Sequence, residues 1–356
     1  MSSRDYRLDG EDGRQAIERG LAAAKWYHTD VPRTELRALM ERKDGPAIRD
    51  TIIWFGLLIV SGGVGVLLWP SWLSVPFWLV YGVLYGSAGD SRWHECGHGT
   101  AFKTKWMNRA VYQVACFFMI RNPISWRWSH SRHHADTIIV GRDPEIVAMR
   151  PPDLMRMGLN FLGILDALDG LRAMLINATG RPTREQALYV PDAERTKMVF
   201  VARIWCAIYA ITIGSALTLQ SIVPLMLIGL PRLYGAWHHV LTGILQHSGL
   251  AENVLDYRLN TRTVLMNPFS RFIYWNMNYH VEHHMFPMVP YYALPRLHAL
   301  IKHDLPAANP GIIDAYREVL PILLKQLNRE DYFLERGLPD GAKPYRHRFH
   351  ESAELR

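Results

Sequence analysis

Cysteine is scarce in this chain: three in 356 residues, at Cys96, Cys116 and Cys206, an odd number and far apart. That excludes a disulfide framework and suits a protein whose working parts face a reducing compartment. Charge is missing from two long stretches, residues 51–89 and 204–231. The first is long enough for two crossings of a bilayer at about 17–20 residues each. No run of Lys and Arg forms a nucleic-acid patch despite the net charge of +7. The basic excess is therefore read as facing anionic lipid headgroups, with no nucleic-acid partner. The opening residues, Met-Ser-Ser-Arg-Asp-Tyr-Arg-Leu-Asp-Gly, lack the apolar core of a cleavable signal. Internal repeats and low-complexity tracts are missing as well.

The uncharged stretches set the expected architecture. Trp69-Pro70-Ser71 divides the first into a hairpin, about 51–69 and 72–89, with Trp69, Trp72 and Trp78 toward the far interface. Gln220, Ser221 and Pro224 divide the second into about 200–219 and 222–243. The last of these arms carries Arg232, His238 and His239, so its lower half must face protein or emerge into water, because charge facing lipid is costly. The loops near 70–75 and 219–224 hold no Lys or Arg, which places both termini in the cytoplasm. The reading is an all-α polytopic membrane protein, with four transmembrane helices in two hairpins under a cytosolic helical cap. Residues 1–50 form a cytosolic N-terminal segment, helical near 33–43. Residues 51–300 form the membrane domain, and 301–356 a C-terminal segment whose charged tail, 331–356, is solvated surface. Residues 104–120 lie in or near the interface. Residues 153–178 read as an amphipathic helix broken by glycine, a lid or a membrane-surface element.

What the chain has in abundance is phased histidine. His280, His283 and His284 sit at i, i+3 and i+4, so all three rings share one helix face. His130, His133 and His134 repeat that pattern, and His94 and His98 add an i, i+4 pair. One such pair can be packing; eight histidines in three phased groups are metal ligands. A closed site takes about four protein ligands per ion, so eight or more call for two ions. His28, His298, His303, His347 and His350 have no phased partner and read as surface or core residues. Trp126-Arg127-Trp128, beside the second group, reads as packing, with stacking on a headgroup or carrier as the other role.

Taken together, His94–His98 with Ala101-Phe102, the His-Ser-Arg-His-His group, Gln246-His247 after an apolar run, and Asn-Tyr-His-Val-Glu-His-His-Met-Phe-Pro ending at Pro287 resemble the membrane fatty acid desaturase family. The resemblance spans about residues 50 to 300 and keeps the family's order and spacing. It implies a non-haem centre of two Fe ions that uses O₂ and two electrons to insert a double bond into a fatty acyl substrate. The ligands it implies are His94, His98, His130, His133, His134, His247, His280, His283 and His284. Some relatives add an Asn four residues before the extra histidine; here that position is Gly243, and His239 or Asn276 would stand in. No fused electron module is visible, so an external ferredoxin or cytochrome b5 type donor with its reductase is implied. The same scaffold supports hydroxylases and desaturases of small amino-acid-like metabolites. The Asn-x-Asn-Tyr-His form of the third group and Gln246-His247 look desaturase-like and favour desaturation.

Imidazole suits iron, and carboxylates hydrogen-bonded to the rings would orient them. Asp90, one turn before His94, is the first candidate for that role, ahead of Glu282, Glu95, Asp136 and Asp143. No Glu-x-x-His pair recurs as in soluble di-iron bundles, so the site is all-histidine. A rival reading takes His94-Glu95-Cys96-Gly97-His98 as the H-E-x-x-H of an intramembrane zinc metalloprotease, with Leu168-Asp169-Gly170 as its second motif. It leaves both triple-histidine groups unexplained. A metal transporter would need ionisable residues inside the first hairpin, which has none.

Overall fold

Residues that are apolar on all sides form the longest helices. In the computed structural model, which describes residues 4–346 except residue 23, these are α1 (Asp44–Leu67) and the later Asp192–Thr218. At 1.5 Å per residue they extend about 36 and 40 Å. Both are long and apolar enough to cross a membrane, and only 33% and 22% of their most apolar windows is buried. Ile59, Leu67, Ile211 and Leu217 thus face outward, where a soluble core helix would hide them.

Among the described residues only these two helices meet that test, where four spans were expected. The arm at 72–89 forms α2 (Val75–Gly86), which passes through Ser87 into α3 (Ala88–His98) and so delivers the first histidine group. The arm at 222–243 is broken into Val223–Leu227, Pro231–Tyr234 and Trp237–His247. Pro224 and Pro231 each sit in a first turn, where a missing N–H costs nothing. Gly229 takes a left-handed φ of 97° between them. Gly235 meets α2 so closely that a Cβ there would lie 1.7 Å from the Gly82 carbonyl oxygen. Arg232 is fully buried by this approach and pairs with Asp166, so its charge does face protein.

The rest is a helical cap, with no strand among the described residues. The segment 104–120 becomes α4 (Lys105–Met119), whose Val111, Tyr112, Ala115, Cys116 and Met119 are buried in the main core. After it come α5 (Pro123–Ala135), α6 (Leu154–Phe161) and α7 (Ile164–Ala178). The expected break between the last two falls at Gly163, in the left-handed region. Asp192–Thr218 is α8, Trp237–His247 is α9 and His280–Met285 is α10.

Segments near both ends of the described residues pack on this cap. Trp26 stacks on Tyr257 at 4.4 Å and donates to the Ala135 carbonyl, while Tyr27 N–H donates to Leu255. Of the tail expected to be solvated surface, residues 331–346 are exposed or half-buried and 347–356 lie outside the described residues. Arg258, fully buried, pairs with Asp256 and Asp304, and the carbonyls of Lys343 and Pro344 accept its remaining N–H groups. A buried guanidinium needs all its donors satisfied, and the returning tail satisfies them.

Candidate metal centre

The third histidine group lies on a helix of under two turns. In α10, His280, His283 and His284 turn one face inward and are all but inaccessible. Glu282 projects elsewhere, accepting from Thr263 and from His298. Two turns of α3 bring His94 and His98 to the same place, α5 brings His130, His133 and His134, and the C-terminus of α9 brings His247.

Nine rings separate into two groups. His94, His98, His130, His134 and His283 form one; His133, His247, His280 and His284 form the other. Within each group the ligand atoms all lie within 4.8 Å of one another. Both triple-histidine helices serve both groups: α5 gives two rings to the first and one to the second, α10 the reverse. Ring nitrogens face each other: His94 and His283 at 2.7 Å, His98 and His130 at 3.0 Å, His247 and His280 at 3.2 Å, His280 and His284 at 3.1 Å.

The ring hydrogen bonds test whether metal fits. His130 donates its Nδ1 proton to Glu145 at 3.0 Å, His133 to Asp143 at 2.8 Å, and His247 to the Asn260 carbonyl at 2.8 Å. In a neutral ring the other nitrogen, Nε2, then carries a lone pair. Nε2 of His130 faces Nε2 of His98 and His134, and that of His247 faces His280. Inward lone pairs at about 3 Å repel unless a cation lies between them, and metal–nitrogen bonds of about 2.0–2.1 Å produce such spacings. The donor set fits two metal ions.

Burial, then mutual repulsion, holds the rings of His94, His98, His134, His280 and His284 well below their ordinary range, and His283 likewise. Burial would lower His133 too, but the Asp143 carboxylate more than reverses it. Burial would raise Glu145, yet His130 holds it down at about 2. A sign follows for metal-free protein. Unfolded histidine takes up protons below about pH 6.5 while these folded rings resist, so stability is complete above that pH and falls below it. Chelated protein should show a thermal midpoint several degrees lower at pH 5.5 than at pH 7.5; a flat profile would contradict burial of neutral rings.

The other candidates are placed elsewhere. Asp90 touches no imidazole: its carboxylate accepts from Trp93 and Arg121. His239 is buried beside Arg232 and Asp166 and belongs to neither group. Asn276 spends its side chain on Arg271 and the Tyr291 carbonyl. At Gly243 nothing stands within 4 Å of where a Cβ would be. Asp136 pairs with Arg142. Glu95, pushed up to about 7 by burial, accepts from the Tyr291 N–H. Of the carboxylates considered, only Asp143 reaches a ring of the two histidine groups. Glu145, the Asn260 carbonyl and Thr137, which meets His284 at 3.2 Å, carry no helical phase that marks them. Among the unphased histidines, His28 bonds the Trp26 carbonyl, His303 the Leu300 carbonyl and His298 Glu282; His347 and His350 lie outside the described residues.

Known proteins resemble this chain over most of its length. The family model described as fatty acid desaturase matches residues 70–316. A chloroplastic omega-3 fatty acid desaturase of Sesamum indicum is 24% identical, over 83% of this chain and 70% of its own. Two Arabidopsis thaliana proteins are similar. The acyl-lipid omega-3 desaturase (cytochrome b5) of the endoplasmic reticulum is 25% identical over 72% of this chain and 70% of its own. The chloroplastic sn-2 acyl-lipid omega-3 desaturase (ferredoxin) is 23% identical over 82% and 68%.

Proposed function

Because this chain belongs to the fatty acid desaturase family and is therefore an oxidoreductase, we propose that it is an O₂-dependent di-iron desaturase acting on a fatty acyl substrate. The observation that carries the reading is the division of nine buried imidazoles into two groups of ligand size. His94, His98, His130, His134 and His283 would hold one iron, and His133, His247, His280 and His284 the other. When bound, the pair supplies the reduction of O₂ and the removal of two hydrogens from adjacent carbons.

The chain's own residues orient and compensate. Nine neutral rings leave the charge of two ferrous ions unbalanced, and Glu145 and Asp143 set negative charge behind His130 and His133. Asn260 fixes the tautomer of His247 from a backbone position. The metalloprotease reading has no support here, since Glu95 is committed to Tyr291 and a water-activating base is missing between His94 and His98.

The electron donor is a separate carrier of cytochrome b5 or ferredoxin type, as the names of the two Arabidopsis relatives record for them. Basic residues lie away from the loops at 70–75 and 219–224, so histidines and termini face the cytoplasm. The two long helices anchor the protein, and the shorter arms beside them complete two hairpins.

The test compares lipids and small metabolites by mass in cells expressing the wild type or His133→Ala. Products short of two hydrogens, present only with the wild type, are expected. Products with one added oxygen instead would make it a hydroxylase, and no difference would overturn both.

A further inference from the structure

A cavity of about 290 Å³ opens beside the first histidine group. His98, His130 and His134 form its inner wall, Trp93 and Trp126 its sides, and exposed Arg127 its rim. The two indoles lie 5.2 Å apart, and Arg121 braces Trp126 from behind at 4.0 Å. The two guanidiniums here differ in charge balance. Arg121 is neutralised by Asp90 and Asp166. Arg127 rests over the Tyr112 ring and has no carboxylate partner among the described residues.

Arg127 stands three and seven residues before His130 and His134 on α5, about 4.5 and 10.5 Å of helix rise. An extended chain advances roughly 1.2 Å per bond. An anion held at the rim would therefore put carbons roughly four to nine bonds away against the histidines. The cavity is also at the small end of the usual range of about 300–1,000 Å³ for ligand pockets. It has room for a short chain segment and none for a whole long acyl chain.

We propose that Arg127 holds the anionic head of the substrate, a carboxylate or a phosphate ester, and that Trp93 and Trp126 guide the adjoining carbons to the first histidine group. The position of reaction is then counted from the head. The relatives named omega-3 are named for the opposite, methyl end. The proposal rests on the reading that the histidine groups hold the metals.

The full chain in a neutral detergent is titrated with hexanoate, hexyl phosphate and hexanol, following indole fluorescence. At least one anion should bind tenfold or more tighter than hexanol. Arg127→Gln, at an exposed position, should erase that preference, and Arg127→Lys should retain part of it. Preference for hexanoate assigns a carboxylate, and preference for hexyl phosphate assigns a phosphate ester. Equal binding of all three, or anion binding unchanged in Arg127→Gln, would overturn the proposal. Iron is measured on the same samples. Anion preference in protein that takes up no iron would defeat the metal reading alone, and iron without anion preference would defeat this one alone.

Discussion

Alanine at His283 should bring product down to background and weaken iron binding in the first group, whose remaining four rings still match the about four ligands that an ion takes. His283 is the ring that ties α10 to the first group, with its Nε2 at 2.7 Å from that of His94 and 3.2 Å from that of His134. The other two rings of α10 turn to the second group, so no neighbour on that helix can replace it. The protein should still reach the membrane, because α1 and α8 are distant from this change. Iron per chain and product formation on the same preparation check this. Turnover near that of the wild type would separate the histidines from the chemistry.

The second large effect is on stability. Arg258→Met should cost about 3–5 kcal/mol, because it strands buried carboxylates without their cation. Asp256 is fully buried and Asp304 nearly so, and both pair with this guanidinium. Tyr27 stacks under it at 3.7 Å and also donates to Asp304. Loss of the cation would therefore loosen the N-terminal strap and the tail together. Arg258→Met combined with Asp256→Asn and Asp304→Asn should recover most of the loss, since the stranded charges are then gone. Thermal unfolding in detergent measures both, and a single variant as stable as the wild type would contradict the account.

Reading along the chain reached the architecture unevenly. The first uncharged stretch foretold α1 because a helix apolar all round needs no partner to be recognised. The arm at 222–243 begins apolar too, yet Pro224, Gly229 and Pro231 break it, and Gly235 is packed against Gly82. Those breaks are tolerated because Asp166, from a helix distant in sequence, receives Arg232. Composition cannot display such a partner.

The amino-acid sequence by itself determined which histidines share a helix face, since the 3.6-residue period is local and acts within a few residues. It also marked two long stretches without charge, and it carries the resemblance on which the family assignment stands. Only the tertiary structure decided that the rings divide five and four, that α5 and α10 each serve both groups, and that Glu145 and Asp143, not Asp90, stand behind them. Those contacts join segments far apart along the chain, and a side chain's distant neighbours are chosen by how helices pack, which no local spacing encodes.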